Sequence, residues 1–215
     1  MMSAAIKALC LALALVAAPA LAAETPAIAP AGKDANGTAT GDMVLGRVDA
    51  PVTVIEYASM TCPHCAAFHQ EALPKLKAQY IDTGKVRLVF REFPLDRFAL
   101  HGAMLARCAG PERYFAIVDL LFPQQRVWTS PADIKQDPLS ELRKLAQQAG
   151  IGEADFQRCM ADKKLEDQVI ESRLEAEQRF KIEGTPGFVV QGRTLGDDDP
   201  LEAVAAAVKQ AESKN

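Results

Sequence analysis

The sequence predicts an α/β fold in which a βαβ unit and a ββα unit are separated by a long helical insertion. Three observations lead there. The run Val52-Thr53-Val54-Ile55-Glu56-Tyr57 is apolar at nearly every position, as a strand buried on both faces of a sheet must be. It leads into Cys62-Pro63-His64-Cys65 at the start of a helical stretch, and an alternating second strand, Lys85 to Phe90, follows. From Asp96 to Ile182 the pattern is helical throughout, and only then does a third strand, Phe188-Val189-Val190, appear.

Residues 1–22 stand apart from this fold. Lys7 gives a weakly basic start, Ala8 to Ala18 is apolar, and Pro19-Ala20-Leu21-Ala22 offers small residues for cleavage after Ala22. The apolar run is too short to cross a bilayer comfortably, and no later segment approaches the roughly 20 apolar residues needed. An export signal and a soluble mature protein are expected, with a retained N-terminal anchor as the alternative. Residues 23–42, rich in Ala, Pro, Gly and Thr, read as a flexible linker.

The remaining elements follow in order. Met43 to Gly46 suggests a short edge strand before the turn at Asp49-Ala50-Pro51. After the central strand, Cys65 to Tyr80 reads as helix, with Phe68, Leu73, Leu76 and Tyr80 facing the core and a kink or break at Pro74. Asp82-Thr83-Gly84 then turns the chain into the second strand, completing a right-handed βαβ unit with parallel strands. In the insertion, Leu95 to Cys108 stops at Gly110-Pro111, and Glu112 to Phe122 stops at Pro123. Gln124 to Gln136 looks irregular and carries the only Trp, Trp128. Asp137-Pro138 caps a helix whose apolar stripe is Leu139, Leu142, Leu145 and Ala146, ended by Gly150. Glu153 to Met160 and Leu165 to Phe180 complete the insertion. Gly184-Thr185-Pro186-Gly187 leads into the third strand, Gln191-Gly192-Arg193 is turn-like, and Leu201 to Gln210 is a terminal helix. The implied division is 43–95 with 183–213 as one domain and 96–182 as an inserted helical domain.

About half of the 215 residues are apolar, enough to bury a core without a metal. Losing residues 1–22 removes Lys7 and takes the net charge from −4 to −5. A mildly acidic chain with no basic run is a poor ligand for nucleic acid, and none is expected as a partner. Of the five cysteines, Cys10 falls within the expected signal, leaving Cys62, Cys65, Cys108 and Cys159; four in an oxidising compartment suggest two pairs. Cys62 stands at a helix start, where unsatisfied N–H groups and the positive end of the dipole favour a thiolate, the attacking species of disulfide exchange. The competing readings are a plain stabilising disulfide or half of a zinc site. Zinc needs about four ligands, and no second CxxC or paired His is present, so no metal is expected. Haem attachment would need a His after the motif, but Ala66 follows Cys65.

A CPHC at a strand–helix junction, a downstream Thr-Pro at a strand start and a helical insert together resemble the thioredoxin superfamily. The closest form is that of the DsbA-like periplasmic dithiol–disulfide oxidoreductases, alpha-proteobacterial type, and the resemblance spans about residues 43–213. It implies a thioredoxin fold with the helical domain inserted between the βαβ and ββα halves, and no cofactor. It implies Cys62 as the accessible attacking sulfur, Cys65 as the resolving sulfur, and His64 as a donor that steadies the Cys62 thiolate. Pro186 would be cis and packed against the CxxC, and Pro63, Thr185 and Pro186 would meet an extended substrate, paired through the Thr185 backbone. Glu56 would accept the proton of Cys65; the other reading is a Glu salt-bridged on a sheet edge. His69 and His101 have no such context and read as ordinary surface or half-buried residues. Some relatives carry a second disulfide in the insertion, which here would join Cys108 and Cys159; two unpaired buried thiols are the alternative. One departure stands out: Gln191-Gly192-Arg193 occupies the place where an Asn-Gly turn would be expected, leaving substrate preference open.

The function implied is a periplasmic thiol oxidase of reduced, unfolded exported proteins, monomeric and reoxidised by a DsbB-like membrane quinone oxidoreductase. The alternatives are an isomerase or reductase kept reduced by another membrane partner, or a binding protein such as a periplasmic copper-handling thiol protein or a chaperone.

Overall fold

The computed structural model describes residues 41–130 and 137–214 of the 215-residue chain. The expected signal with Cys10 and the cleavage point at Ala22, residues 23–40 of the expected linker, and 131–136 lie outside the described residues.

Five strands form one sheet in the order β1-β3-β2-β4-β5. They are β1 (Met43–Leu45), β2 (Val52–Ala58), β3 (Val86–Glu92), β4 (Gly187–Val190) and β5 (Arg193–Thr194). All seven residues of β2 are buried, which explains its apolar run. β2 and β3 are parallel, in register from Val52 with Val86 to Ala58 with Glu92, so the helical stretch between them is a crossover. β4 returns antiparallel along the other side of β2, pairing Glu56 with Phe188. The edge strands have only three and two residues, which limits pairing with other chains. The Gln191-Gly192 turn has Gln191 at φ +49°. Gln191 Oε1 accepts the Thr53 N–H at 2.8 Å, so this longer side chain fastens the turn to β2.

Because side chains alternate across a strand, Val52, Val54 and Glu56 share one face of β2. That face is packed by Phe68, Leu73, Leu76 and Ile81 from the crossover and by Val204 and Val208 from the Pro200–Glu212 helix. The opposite face, with Ile55, Tyr57 and Val89, meets Ala176 and Ile182 at the end of the insertion.

The crossover does not break at Pro74. It is helical over 63–81 as Pro63–Ala67 and Leu73–Leu76 α-helix alternating with Phe68–Ala72 and Lys77–Ile81 π-helix. The π turn before Pro74 widens the backbone where the proline ring would strike the carbonyl four residues back. The wider turns also reset the inward face. Leu73 follows Phe68 by five residues and Ile81 follows Leu76 by five, so Ile81 is buried in place of the expected Tyr80, which is half-buried.

Between β3 and β4 run the helices Arg97–Cys108, Tyr114–Leu121, Gln125–Trp128, Ser140–Gln148, Glu153–Ala161 and Lys163–Glu175, the last continuing as a π segment, Ala176–Phe180. Part of the stretch expected to be irregular is thus helical. Its cause is Trp128, fully buried, with Nε1 donating to the Leu121 carbonyl at 2.9 Å. Trp128 lies against Gly102: a Cβ there would sit 3.0 Å from the indole and 3.2 Å from Met60 Cβ. The Ser140–Gln148 helix is capped at Leu139, and Asp137 Oδ1 instead accepts the Leu139 N–H. Cys108 and Cys159 are joined, with Cα atoms 6.0 Å apart, tying the Arg97–Cys108 helix to Glu153–Ala161.

At the β3 end the buried Arg91 and the half-buried Arg107 hold Asp42 and Gly41. Arg91 makes paired bonds to Asp42 at 2.9 Å each and a bond to Tyr57 Oη at 2.7 Å. Arg107 makes paired bonds to Glu92 at 2.6 Å each and donates to the Gly41 carbonyl, while Tyr114 Oη donates to Glu92.

Candidate active site

β2 delivers the chain to its C-terminal end, and Ser59-Met60-Thr61 carries it to Cys62. Cys62 is the N-cap residue of the crossover, with φ −79° and ψ 119°, and Pro63 occupies the first helical position, where its missing N–H costs nothing. The Cys62 sulfur accepts the Cys65 N–H at 3.4 Å. Both thiols are free.

The two sulfurs have opposite surroundings. The Cys62 pKa falls to about 5, chiefly because the Cys65 thiol donates to its sulfur; burial opposes this, and Thr185 and the backbone N–H groups of Cys65 and His64 add to it. The Cys65 thiol is pushed far up, first by burial, then by the Cys62 sulfur and the charge of Glu56. Such a pair holds one nucleophile ready and one proton back.

Cys62 is more enclosed than expected. It is 5% exposed against 0% for Cys65, so accessibility separates the two far less than electrostatics does. Thr185 lies against it, and the Thr185–Pro186 peptide bond is cis. Cys62 Sγ donates to the Thr185 carbonyl at 3.2 Å. Thr185 thus acts both ways: its carbonyl accepts from the thiol, whereas its buried hydroxyl, with no other partner, favours the thiolate.

The His64 ring is exposed, and it is the His64 backbone N–H that lowers the Cys62 pKa. Pro63 is exposed at the edge of an open groove shared with Ala66, Phe122 and Val127.

Glu56 is fully buried in the central strand, not on a sheet edge. Its two oxygens lie 3.1 and 3.0 Å from Nε2 of His69. His69 is therefore a buried partner of Glu56 and not a surface residue; spacing of seven after Cys62 carries no signal unless the π turn is known. His101 is half-buried, and burial lowers its pKa.

Two further contacts come from the insertion. Gln125 Nε2 donates to the carbonyls of Met60 at 2.9 Å and Cys62 at 3.0 Å. Thr61 Oγ1 donates to Asp96 Oδ2 at 2.7 Å, while Asp96 Oδ1 caps the Arg97–Cys108 helix through the Ala99 N–H. Neither residue stood out in the sequence. Among the described residues no cluster of three or more His, Cys, Asp or Glu is arranged to hold a metal, and no helix is long and apolar enough to cross a membrane.

Comparison with known proteins places this geometry among relatives. A family model described as thioredoxin matches residues 38–210. A Rickettsia bellii protein named as a protein-disulfide oxidoreductase is 35% identical over 177 residues, covering 81% of this chain and 66% of its own length. A Rickettsia felis protein of the same name is 34% identical over 171 residues, covering 79% of this chain and 60% of its own length. The chain thus spans less than two-thirds of either relative. The crystal structure of Wolbachia pipientis alpha-DsbA1 is similar with TM-score 0.73 and 31% identity, covering 81% of this chain and 94% of that one.

Proposed function

Because this chain belongs to the DsbA-like branch of the thioredoxin superfamily, we propose that it oxidises thiol pairs in exported proteins by exchanging a Cys62–Cys65 disulfide. The observation that carries this is the contrast between the two sulfurs, Cys62 lowered to about 5 and Cys65 raised.

In the oxidised form, a substrate thiolate attacks Cys62 Sγ. The Cys62–Cys65 bond breaks, its electron pair goes to Cys65, and Cys65 takes up a proton, with Glu56 as the acid that supplies it. A second substrate thiolate then attacks the substrate sulfur of the mixed disulfide and releases Cys62 as thiolate. Stabilising that thiolate favours the dithiol. At pH 7 a pKa of about 5 is worth at most about 2.7 kcal/mol, less what solvent screening removes. That corresponds to no more than about 60 mV of added oxidising strength.

The remaining roles follow from placement. Thr185, Pro186 and Pro63 border Cys62 and would receive an extended substrate segment. His64 adds its backbone N–H. Residues 43–95 and 183–213 form the redox domain, and 96–182 supplies a helical cover braced by the Cys108–Cys159 disulfide. The protein would act as a periplasmic monomer, released by cleavage after Ala22 and reoxidised by a DsbB-like quinone oxidoreductase.

The test is multiple-turnover oxidation of a reduced, unfolded test protein with oxidised glutathione as terminal oxidant. Wild type should raise the rate at catalytic concentration, and Cys62→Ser should abolish the effect. Stoichiometric metal binding by the dithiol with no turnover would instead identify a metal-handling protein, and repair of a scrambled disulfide without net oxidation an isomerase.

A further inference from the structure

Glu56 brings a carboxylate into the core, and the crossover answers it with a single polar side chain. His69 Nε2 lies 3.0–3.1 Å from both Glu56 oxygens. His69 and Glu56 side chains are 3% and 0% exposed. Aromatic rings enclose the imidazole: Phe122 at 4.5 Å, Phe90 at 5.5 Å and Phe68 at 5.8 Å between centroids. Its other nitrogen, Nδ1, is buried with no partner.

That orphaned nitrogen fixes the tautomer. An imidazolium, or a ring protonated at Nδ1, would bury an N–H with no acceptor, which is rarer and costlier than a bare acceptor. The orphaned Nδ1 thus points to the tautomer in which Nε2–H donates to the carboxylate. The titratable groups facing this pair are few: Cys65 on the same helical stretch, and Tyr114 and Asp119 from the Tyr114–Leu121 helix. Cys65 is the one that feels the Glu56 charge and also undergoes chemistry.

We propose that His69 is the positioning residue that makes Glu56 the proton acceptor of Cys65, by donating Nε2–H to the carboxylate and holding it in place. This rests on the reading of Glu56 and Cys65 given above and deepens it. When Cys65 attacks a mixed disulfide on Cys62, the Cys65 proton passes to Glu56 and the Cys65–Cys62 bond forms. The bond from Cys62 to the partner sulfur breaks, and the partner leaves as thiolate with the electron pair. One negative charge moves from carboxylate to sulfur to leaving group, so no additional charge is buried at any point. The reverse direction returns the proton from Glu56 to Cys65.

The experiment follows the reduced protein reacting with oxidised glutathione between pH 5 and 8. A first phase, dependent on glutathione concentration, is attack by Cys62; a second, independent of it, is closure by Cys65. His69→Met should slow the second phase about tenfold, the loss of a small part of a typical acid–base contribution, and leave the first phase and the 240 nm titration of Cys62 unchanged. His69→Gln, which keeps an N–H donor at the same reach, should restore most of the rate. In a Glu56→Gln background, His69→Met should cause no further slowing.

A normal second phase in His69→Met with a slow one in Glu56→Gln overturns the role of His69 while sparing that of Glu56. A normal second phase in Glu56→Gln overturns the Glu56 reading itself. Additive slowing in the double variant, or equal slowing in His69→Met and His69→Gln, shows that packing alone is at stake and sinks the proposal. Nitrogen NMR of the wild type is independent of variant folding: a His69 protonated at Nδ1 in the reduced protein would refute the tautomer.

Discussion

Gln125 holds the backbone on both sides of Thr61: its amide donates to the Met60 carbonyl at 2.9 Å and to the Cys62 carbonyl at 3.0 Å. A residue of the insertion thereby sets the loop that presents the reactive sulfur. Gln125→Ala leaves the enclosed Met60 carbonyl without that donor, while the Cys62 carbonyl keeps the Ala66 N–H, and should destabilise the protein by about 1–3 kcal/mol. Amide hydrogen exchange at Thr61 and Cys62 should quicken more than in the sheet. Unchanged exchange there would mean that the insertion does not steady the loop.

The low Cys62 pKa makes the stability of the reduced protein depend on pH. The folded value of about 5 lies below the ordinary thiol value of about 8.5. The contribution is therefore complete above about pH 8.5 and disappears as pH falls through about 5. Cys65, raised by burial, works against stability only above the ordinary thiol range. The melting temperature of the reduced protein, minus that of the oxidised protein, should climb between pH 4.5 and 8. A flat difference in calorimetry would contradict the assignment.

The Cys108–Cys159 bond encloses a loop with sequence separation 51. Replacing both cysteines with serine should cost about 4 kcal/mol on the chain-entropy account. The 240 nm titration midpoint near pH 5 should stay where it is, because neither sulfur is among the groups that act on the Cys62 thiol. A moved midpoint would reveal coupling between the two sulfur pairs.

Glu92, 1% exposed, depends on Arg107 for paired bonds. Arg107→Met strands that carboxylate and should cost about 3–5 kcal/mol. Adding Glu92→Leu should recover part of the loss, since the apolar pair leaves no buried charge behind and only the buried Tyr114 hydroxyl loses its acceptor. Chemical denaturation of the three variants decides this; no recovery in the double variant would show that packing, not charge, was lost.

What the sequence could show depended on how locally each feature was encoded. The double-faced burial of β2 is written in its apolar run, and the strand–helix junction in Cys62-Pro63-His64-Cys65. The Thr185–Pro186 bond and the Cys108–Cys159 pairing were expected only through family resemblance, and the structure has both. Ile81 and His69 were missed for a shared reason. An ideal helix of 3.6 residues per turn puts Tyr80 inward and gives position 69 no distinction, whereas π turns advance the inward face by an extra residue. Gln125 and Asp96 were missed because their partners, Met60, Cys62 and Thr61, lie 35 or more positions away. Nothing in a polar residue's local pattern reports so distant a partner.

The Thr185 carbonyl that accepts from the Cys62 thiol is also the acceptor that the proposed pairing with an extended peptide would use. A main-chain N–H that took the thiol's place there would leave the sulfur's proton without its acceptor, and a sulfur that has already shed its proton leaves the carbonyl free for the newcomer. Docking at that carbonyl would thus be linked to ionisation of the sulfur, and an extended chain held there should be gripped more tightly in alkaline than in acidic solution.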